Sequence, residues 1–318
     1  VSPGPSGPPR AWVVGSGGLV GRHLVGALRA AGHEVATSRV PWADEERSLE
    51  VLRHDLDDFV RRADGDPWVL AWCAGAGVVA TGADALAAEL RVFERFCALL
   101  PEDPDGDGVV VLASSAGGLY AGSGAPPFTE ATPPAPLVPY GRTKLAMEEA
   151  LAAAVARTGS RAVAARLANV YGPGQTLGKP QGLLSQLCLA HAMTRPLPVF
   201  VSLDTIRDYV YVADVAQMLR RCADLVRAEA PGVLVPKVVA SGRPVTVGHL
   251  VSEARRVFHR PVRTAMAPGG AGQVLDLRLA SVTWPEVDVL ASTPLAAGLA
   301  ATAADVRARV VSGGPLDG

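Results

Sequence analysis

The sequence predicts an α/β fold, a doubly wound parallel sheet followed by a smaller C-terminal substrate-binding lobe. Three observations predict it. Short apolar runs alternate with amphipathic helical stretches through the first half of the chain, the rhythm of a parallel sheet covered on both faces. A glycine-rich string, Gly15-Ser-Gly-Gly-Leu-Val-Gly21, follows the first apolar run directly. After Val170 the rhythm changes at a Gly/Pro-rich segment from Tyr171 to Pro180.

The elements follow in order. Ala11–Val14 is a strand, and Leu19–Ala31 is a helix with Val20, Leu24 and Leu28 on one face. Glu34–Ser38 is the second strand. A third is read as ending near Asp55, which either lines the sheet's carboxyl edge or caps a helix over Leu56–Arg62. Trp68–Cys73, Val109–Ala113 and Ala162–Leu167 are buried strands, separated by helices at Ala83–Leu100 and Tyr140–Ala156. Beyond Val170, a helix at Leu183–Met193 and strands at Asp208–Val212 and Val233–Val239 belong to a lobe woven from several excursions. Residues 1–10 read as a disordered leader and 11–170 as a dinucleotide-binding domain. Residues 171–311 are mainly the substrate lobe, and 312–318 a flexible tail.

Composition removes several functions. Of 318 residues, 49% are hydrophobic and 19% charged, enough apolar material for a sizeable core. Acidic and basic residues number 31 and 30. No basic excess exists to neutralise a nucleic-acid backbone. No run of 18 apolar residues predicts a membrane span. Cys73, Cys97, Cys188 and Cys222 lie far apart with no C-x-x-C pair, so reduced thiols, a cytoplasmic setting and no metal site are expected.

The glycine string makes the sheet a Rossmann type. Gly15, Gly17, Gly18 and Gly21, with Leu19, allow a tight turn that brings backbone N–H groups to a pyrophosphate at a helix N-terminus. Asp55, Leu56, Ala74 and Gly75 fall where a dinucleotide crosses the carboxyl edge. A carboxylate at the end of the second strand would select NAD; this chain reads Thr37-Ser38-Arg39 there. Arg39 points to the 2′-phosphate of NADP(H), with NAD as the alternative.

Tyr140-Gly-Arg-Thr-Lys144 opens a helix after a proline-rich loop. The i, i+4 spacing sets phenol and ammonium on one face, where a nearby positive charge helps a phenol exchange its proton. The chain has only three lysines, Lys144, Lys179 and Lys237, and a single asparagine, Asn169.

On these strings the chain resembles the extended short-chain dehydrogenases/reductases, in their nucleotide-sugar epimerase/dehydratase branch. The matching residues are G-S-G-G-L-V-G at Gly15, S-S-A-G-G-L-Y at Ser114 and Y-G-R-T-K at Tyr140. They continue as R-L-A-N-V-Y-G-P-G-Q from Arg166 and R-D-Y-V-Y-V-A-D-V-A from Arg207. The resemblance implies that Tyr140 is the acid/base and that Lys144 binds the nicotinamide ribose. It implies that Asn169 and Arg207 hold the diphosphate of a nucleotide-sugar substrate, and that the two long helices build a homodimer. Tyr120 is a further candidate donor at the substrate. Gln175, Lys179 and Gln181 fall in the loop that closes over the sugar nucleotide.

The pattern departs in three places. Where the family sets a Ser or Thr four residues before Tyr120, this chain has Ala116, and Ser115 is the candidate replacement. The acid pair of the 4,6-dehydratases would fall at Gly117 and Gly118, which disfavours dehydration. An asparagine expected in the helix near Glu89 is absent. The expected function is hydride transfer at a ring carbon of a nucleotide-activated sugar, C4 by preference, as an NADPH-dependent 4-ketoreductase. The alternatives are a 4-epimerase with tightly held NAD and a non-catalytic dinucleotide- or sugar-nucleotide-binding protein.

Overall fold

The protein is described by a computed structural model covering residues 8–75, 81–103, 107–178, 182–266 and 274–313. Most of the leader and tail, Ala76, Gly77, Lys179 and Gln181 lie outside the described residues. The first strand, β1 (Arg10–Val14), carries Trp12 and Val14 toward one face and Ala11 and Val13 toward the other. It leads through the glycine turn into α1 (Leu19–Ala30), then β2 (Glu34–Thr37), α2 (Glu45–Ala63), β3 (Trp68–Trp72) and α3 (Ala83–Leu99). Next come β4 (Gly108–Ser115), the short α4 (Ala116–Tyr120), α5 (Pro139–Thr158), β5 (Arg161–Leu167) and β6 (Asn169–Tyr171).

Arg10 belongs to β1 rather than to the leader. Its backbone pairs in the sheet, and its guanidinium bonds Glu34 at 2.6 Å. The larger correction concerns Asp55. No strand ends there: Asp55 and Leu56 sit mid-way along the 19-residue α2. Leu49, Leu52, Leu56, Phe59 and Ala63 repeat every three or four residues and are all buried, which is helical spacing. Asp44 caps the helix by accepting from the Arg47 N–H at 3.1 Å.

The chain continues through α6 (Leu183–Ala192), β7 (Leu197–Val199), β8 (Ile206–Arg207), β9 (Tyr209–Tyr211) and α7 (Val212–Leu225). It ends with β10 (Leu234–Val239), β11 (Val245–Thr246), α8 (Val247–Phe258), β12 (Thr264–Met266), β13 (Asp276–Leu277), α9 (Pro285–Asp288) and α10 (Leu295–Val311). Six strands form one parallel sheet in the order β10-β5-β4-β3-β1-β2. Helices α2, α3 and α5 bury Leu52, Phe93 and Met147 against Trp12, Leu70 and Leu112 on one face. Helices α1 and α7 bury Leu24, Leu28 and Met218 against Val13, Val69 and Val163 on the other.

The remaining elements make the lobe, whose core joins Leu184 and Leu187 of α6, Leu250 of α8 and Leu299 of α10. Strand β10 and helix α7 return to the sheet, so the lobe is interleaved with it. All four cysteines are free. Among the described residues no helix is long and apolar enough to cross a membrane, and no cluster of metal ligands is present.

Candidate active site

A cleft of about 650 Å³ runs along the carboxyl ends of β1, β3, β4 and β5 and under the lobe. Its cofactor half is lined by Gly18, Leu19, Cys73, Ala74 and Gly75, its centre by Ser115, Gly118, Tyr140 and Lys144, and its far half by Asn169, Thr205, Arg207 and Tyr209. The lining brings together most of the predicted site.

The glycine turn is shaped by close approach. Gly15 has φ +86°, and a Cβ there would come within 2.4 Å of the Ala74 nitrogen, so strand ends β1 and β3 nearly touch. A Cβ at Gly21 would lie 2.3 Å from the Gly15 oxygen, which keeps α1 tight on the turn. The N-terminus of α1 has no side-chain cap and no acidic residue in its first turn. Unpaired N–H groups with no competing carboxylate suit a pyrophosphate. These residues fit a dinucleotide.

At the tip of β2, Ser38 accepts a hydrogen bond from the Trp12 indole at 2.8 Å and donates to Asp55 at 2.5 Å. Helix α2 thus delivers a carboxylate to the strand end that lacks one. Arg39, the next residue, is exposed and makes no ion pair or hydrogen bond among the described residues. Leu56 faces the core at 2% exposure and does not reach the cleft.

At the centre, a Cβ on Gly118 would lie 3.2 Å from Tyr140 Cε1 and 3.3 Å from Ser115 Oγ. Phenol ring and hydroxyl therefore converge on one point. Ser115 caps α4 by accepting from the Gly118 N–H at 3.2 Å. Ala116 is fully buried among Leu119, Tyr120 and Phe128, so the methyl points to the core and Ser115 presents the hydroxyl. Lys144 Nζ lies 6.0 Å from the Tyr140 ring centroid and donates to Glu89 Oε1 at 3.1 Å. The sequence marks Glu89 only as the neighbourhood of a missing asparagine, since its pairing with Lys144 spans 55 residues.

Tyr120 does not reach the cleft. It is fully buried, donates to the Thr129 carbonyl at 2.8 Å and accepts from Arg166 at 2.7 Å. Arg166 in turn bonds Glu148, which accepts from Ser114 at 2.6 Å. Burial pushes the phenols of Tyr120, Tyr171, Tyr209 and Tyr211 up from their ordinary value. None of the four is suited to proton exchange near neutrality.

In the far half, Asn169 Nδ2 donates to the Asp208 carbonyl at 3.0 Å. Arg207 donates to the carbonyls of Ile206 and Val274, each at 2.8 Å. It pairs with neither Asp208 nor Asp214. Asp208 accepts from the Ser241 N–H at 2.7 Å, and Asp214 from the Thr293 N–H at 2.8 Å. Burial lowers the Arg207 pKa below the ordinary arginine value. A half-buried guanidinium held by carbonyls alone is set to receive an anion. Nearby, Thr205 is 1% exposed and its Oγ1 has no hydrogen-bond partner among the described residues; no sequence motif marked it. Gln175 lines the cleft and accepts from Ser185 at 2.5 Å.

A model of the NAD dependent epimerase/dehydratase family matches residues 11–235. The chain is 31% identical over 291 residues to 2'-dehydrokanamycin reductase of Streptomyces kanamyceticus, covering 87% of this chain and 76% of that protein. It is 26% identical over 191 residues to dTDP-4-dehydro-6-deoxyglucose reductase of Escherichia coli, and that match spans 57% of each chain. Among solved structures, MoeE5 in complex with UDP-glucose and NAD superposes with a TM-score of 0.77 at 26% identity, covering 95% of this chain and 99% of that one. A UDP-glucose 4-epimerase from Thermotoga maritima shares the fold, with a TM-score of 0.76 at 21% identity over 95% and 99% of the two chains.

Proposed function

The chain belongs to the NAD-dependent epimerase/dehydratase family, and from that premise we propose that it is a ketoreductase. It would reduce a carbonyl, C4 by preference, on a nucleotide-activated sugar, with NADPH as donor. One observation carries the reading: Tyr140 and Ser115 converge at Gly118 in a cleft whose one half suits a dinucleotide and whose other half holds Arg207, hydrogen-bonded to carbonyls and in no ion pair among the described residues. Two relatives that carry reductase names support the direction of the reaction.

The turn from Gly15 to Leu19 would hold the pyrophosphate, and Lys144 the nicotinamide ribose. When bound, the nicotinamide supplies the hydride. Ser115 orients the carbonyl oxygen by a hydrogen bond. Tyr140 gives that oxygen its proton as charge develops on it. Arg207 and Asn169 take the diphosphate. The glycines at 117 and 118 offer no acid for dehydration. Arg39 supports NADP(H), since nothing among the described residues engages it.

A second reading rests on Asp55. A carboxylate bonded to the tip of β2 favours a free ribose hydroxyl and hence NAD, and tightly held NAD would fit a 4-epimerase. The two readings separate when purified protein is denatured and any released dinucleotide is identified by mass. An empty site that then oxidises NADPH in the presence of dTDP-4-dehydro-6-deoxyglucose supports the ketoreductase. Retained NAD⁺ supports the epimerase. Saturable dinucleotide binding with no turnover on either substrate class would leave a binding protein. The reading also carries a homodimer through α3 and α5, whose outward positions include Ala87, Ala98, Ala153 and Ala156; light scattering at twice the monomer mass would support it.

A further inference from the structure

Glu89 of α3 stands behind the cleft-lining Lys144 and has no part in the reaction as set out above. Its carboxylate is 3.1 Å from Lys144 Nζ, with the two side chains 10% and 5% exposed. A Cβ on Gly75 would lie 3.3 Å from both atoms, so the pair is pressed against the end of β3. The neighbouring charged and titratable groups among the described residues are placed as follows. The Cys73 thiol, just past the end of β3, is pushed up to about 12 by burial and carries no charge. Glu148, one turn beyond Lys144 on α5, is engaged by Arg166 of β5 and Ser114 of β4. Arg91 and Arg95 share α3 with Glu89 but bond Glu45 and Glu46 of α2. Arg207 faces the far half from β8. Among the described residues, Lys144 has one carboxylate partner.

An isolated ammonium beside a phenol favours loss of the phenol's proton. An ammonium already cancelled by a carboxylate does so far less. Reduction of a ketone needs a phenol that gives a proton, whereas oxidation of an alcohol needs a phenolate that takes one. We propose that Glu89 is a positioning residue that cancels the Lys144 charge and keeps Tyr140 as a proton donor, setting the site for ketone reduction. The inference rests on Tyr140 being the acid of the site, and its test requires neither substrate nor dinucleotide.

The test is a pH titration of tyrosinate absorbance in the full chain, with the matching Tyr140→Phe protein subtracted in every background. Glu89→Gln is expected to bring the Tyr140 signal to lower pH by about one unit, a tenfold change in its ionisation constant. Lys144→Met, with Glu89 retained, is expected to move it the opposite way, and the double variant to fall between them. Circular dichroism establishes that each variant is folded. Coincident curves for the parent and Glu89→Gln, with Lys144→Met still shifted, would overturn the inference while leaving the reductase reading intact. Should Glu89→Gln fail to fold, Lys144→Met is compared with Lys144→Met/Glu89→Gln. Removing the carboxylate must then lower the titration, and an unmoved curve overturns the proposal equally.

Discussion

Lys144 and Lys237 are both buried, and they are held very differently. Lys237 on β10 is fully buried, and its ammonium meets three oxygens: Ser281 Oγ at 2.5 Å, the Thr283 carbonyl at 2.6 Å and Asp288 at 2.6 Å. Ser281 passes on to Glu130, whose carboxylate also accepts from the Val238 and Val282 N–H groups. Every donor of that ammonium is spent on the fold, pinning the last excursion of the chain to the sheet. Lys144 meets one oxygen at 3.1 Å and the Met147 sulfur at 3.6 Å. Lys144 lines the cleft, where Lys237 does not.

The comparison is open to direct attack, beginning where the effect is largest. Tyr140→Phe removes the proton donor beside Lys144, and turnover should fall about 10²–10⁴-fold. Dinucleotide affinity, read by fluorescence titration, should stay close to the parent's; unchanged turnover would remove Tyr140 from the chemistry. Lys237→Met removes a fully buried ammonium and leaves its three acceptors, Ser281, the Thr283 carbonyl and the one-third-exposed Asp288, without their donor, a loss of about 3–5 kcal/mol in denaturant unfolding. The folded fraction should still bind dinucleotide. Lys144→Met should reverse the pattern, costing about 1–3 kcal/mol of stability because the cleft admits water while abolishing turnover. Equal stability losses would erase the distinction between the two lysines.

Smaller changes sharpen it. Gly75→Ala crowds both Glu89 and Lys144, and dinucleotide binding should weaken about tenfold, or about 1.4 kcal/mol, with the melting temperature little changed. The mildest effect belongs to the surface. Hydrogen bonds from Arg91 and Arg95 hold Glu45 and Glu46 below the ordinary carboxylate value. Their folded values lie below the unfolded ones, so the stabilisation is present above the unfolded value and is lost as pH falls through the folded ones. Amide exchange in α2 should quicken in that acid window and not in the strands.

Much of the sheet was legible because its strands are short apolar runs bounded by helical periodicity. Residues 45–63 form one helix rather than a strand ending near Asp55, and the stripe of Leu49, Leu52, Leu56 and Phe59 is the sequence signal for it. At the site, the turn at Gly15, the Tyr140–Lys144 spacing and Arg207 could be found from local pattern. Glu89 and Thr205 could not, since each acquires meaning only from a partner, or the lack of one, far away in sequence. Tyr120 shows the opposite failure. It belongs to a recognisable string, but the turn into α4 sends its ring into the core, where it stacks on Phe128 at 5.6 Å.

One consequence follows from the strand order. The sheet stops at β2, and an outermost strand offers unpaired N–H and C=O groups to any extended chain that drifts alongside. Here that margin is only four residues long. It begins with a charged Glu34 tethered to Arg10, and Pro41 closes the way beyond it. This margin, one of the sheet's two edges, is thus a poor template for strand addition.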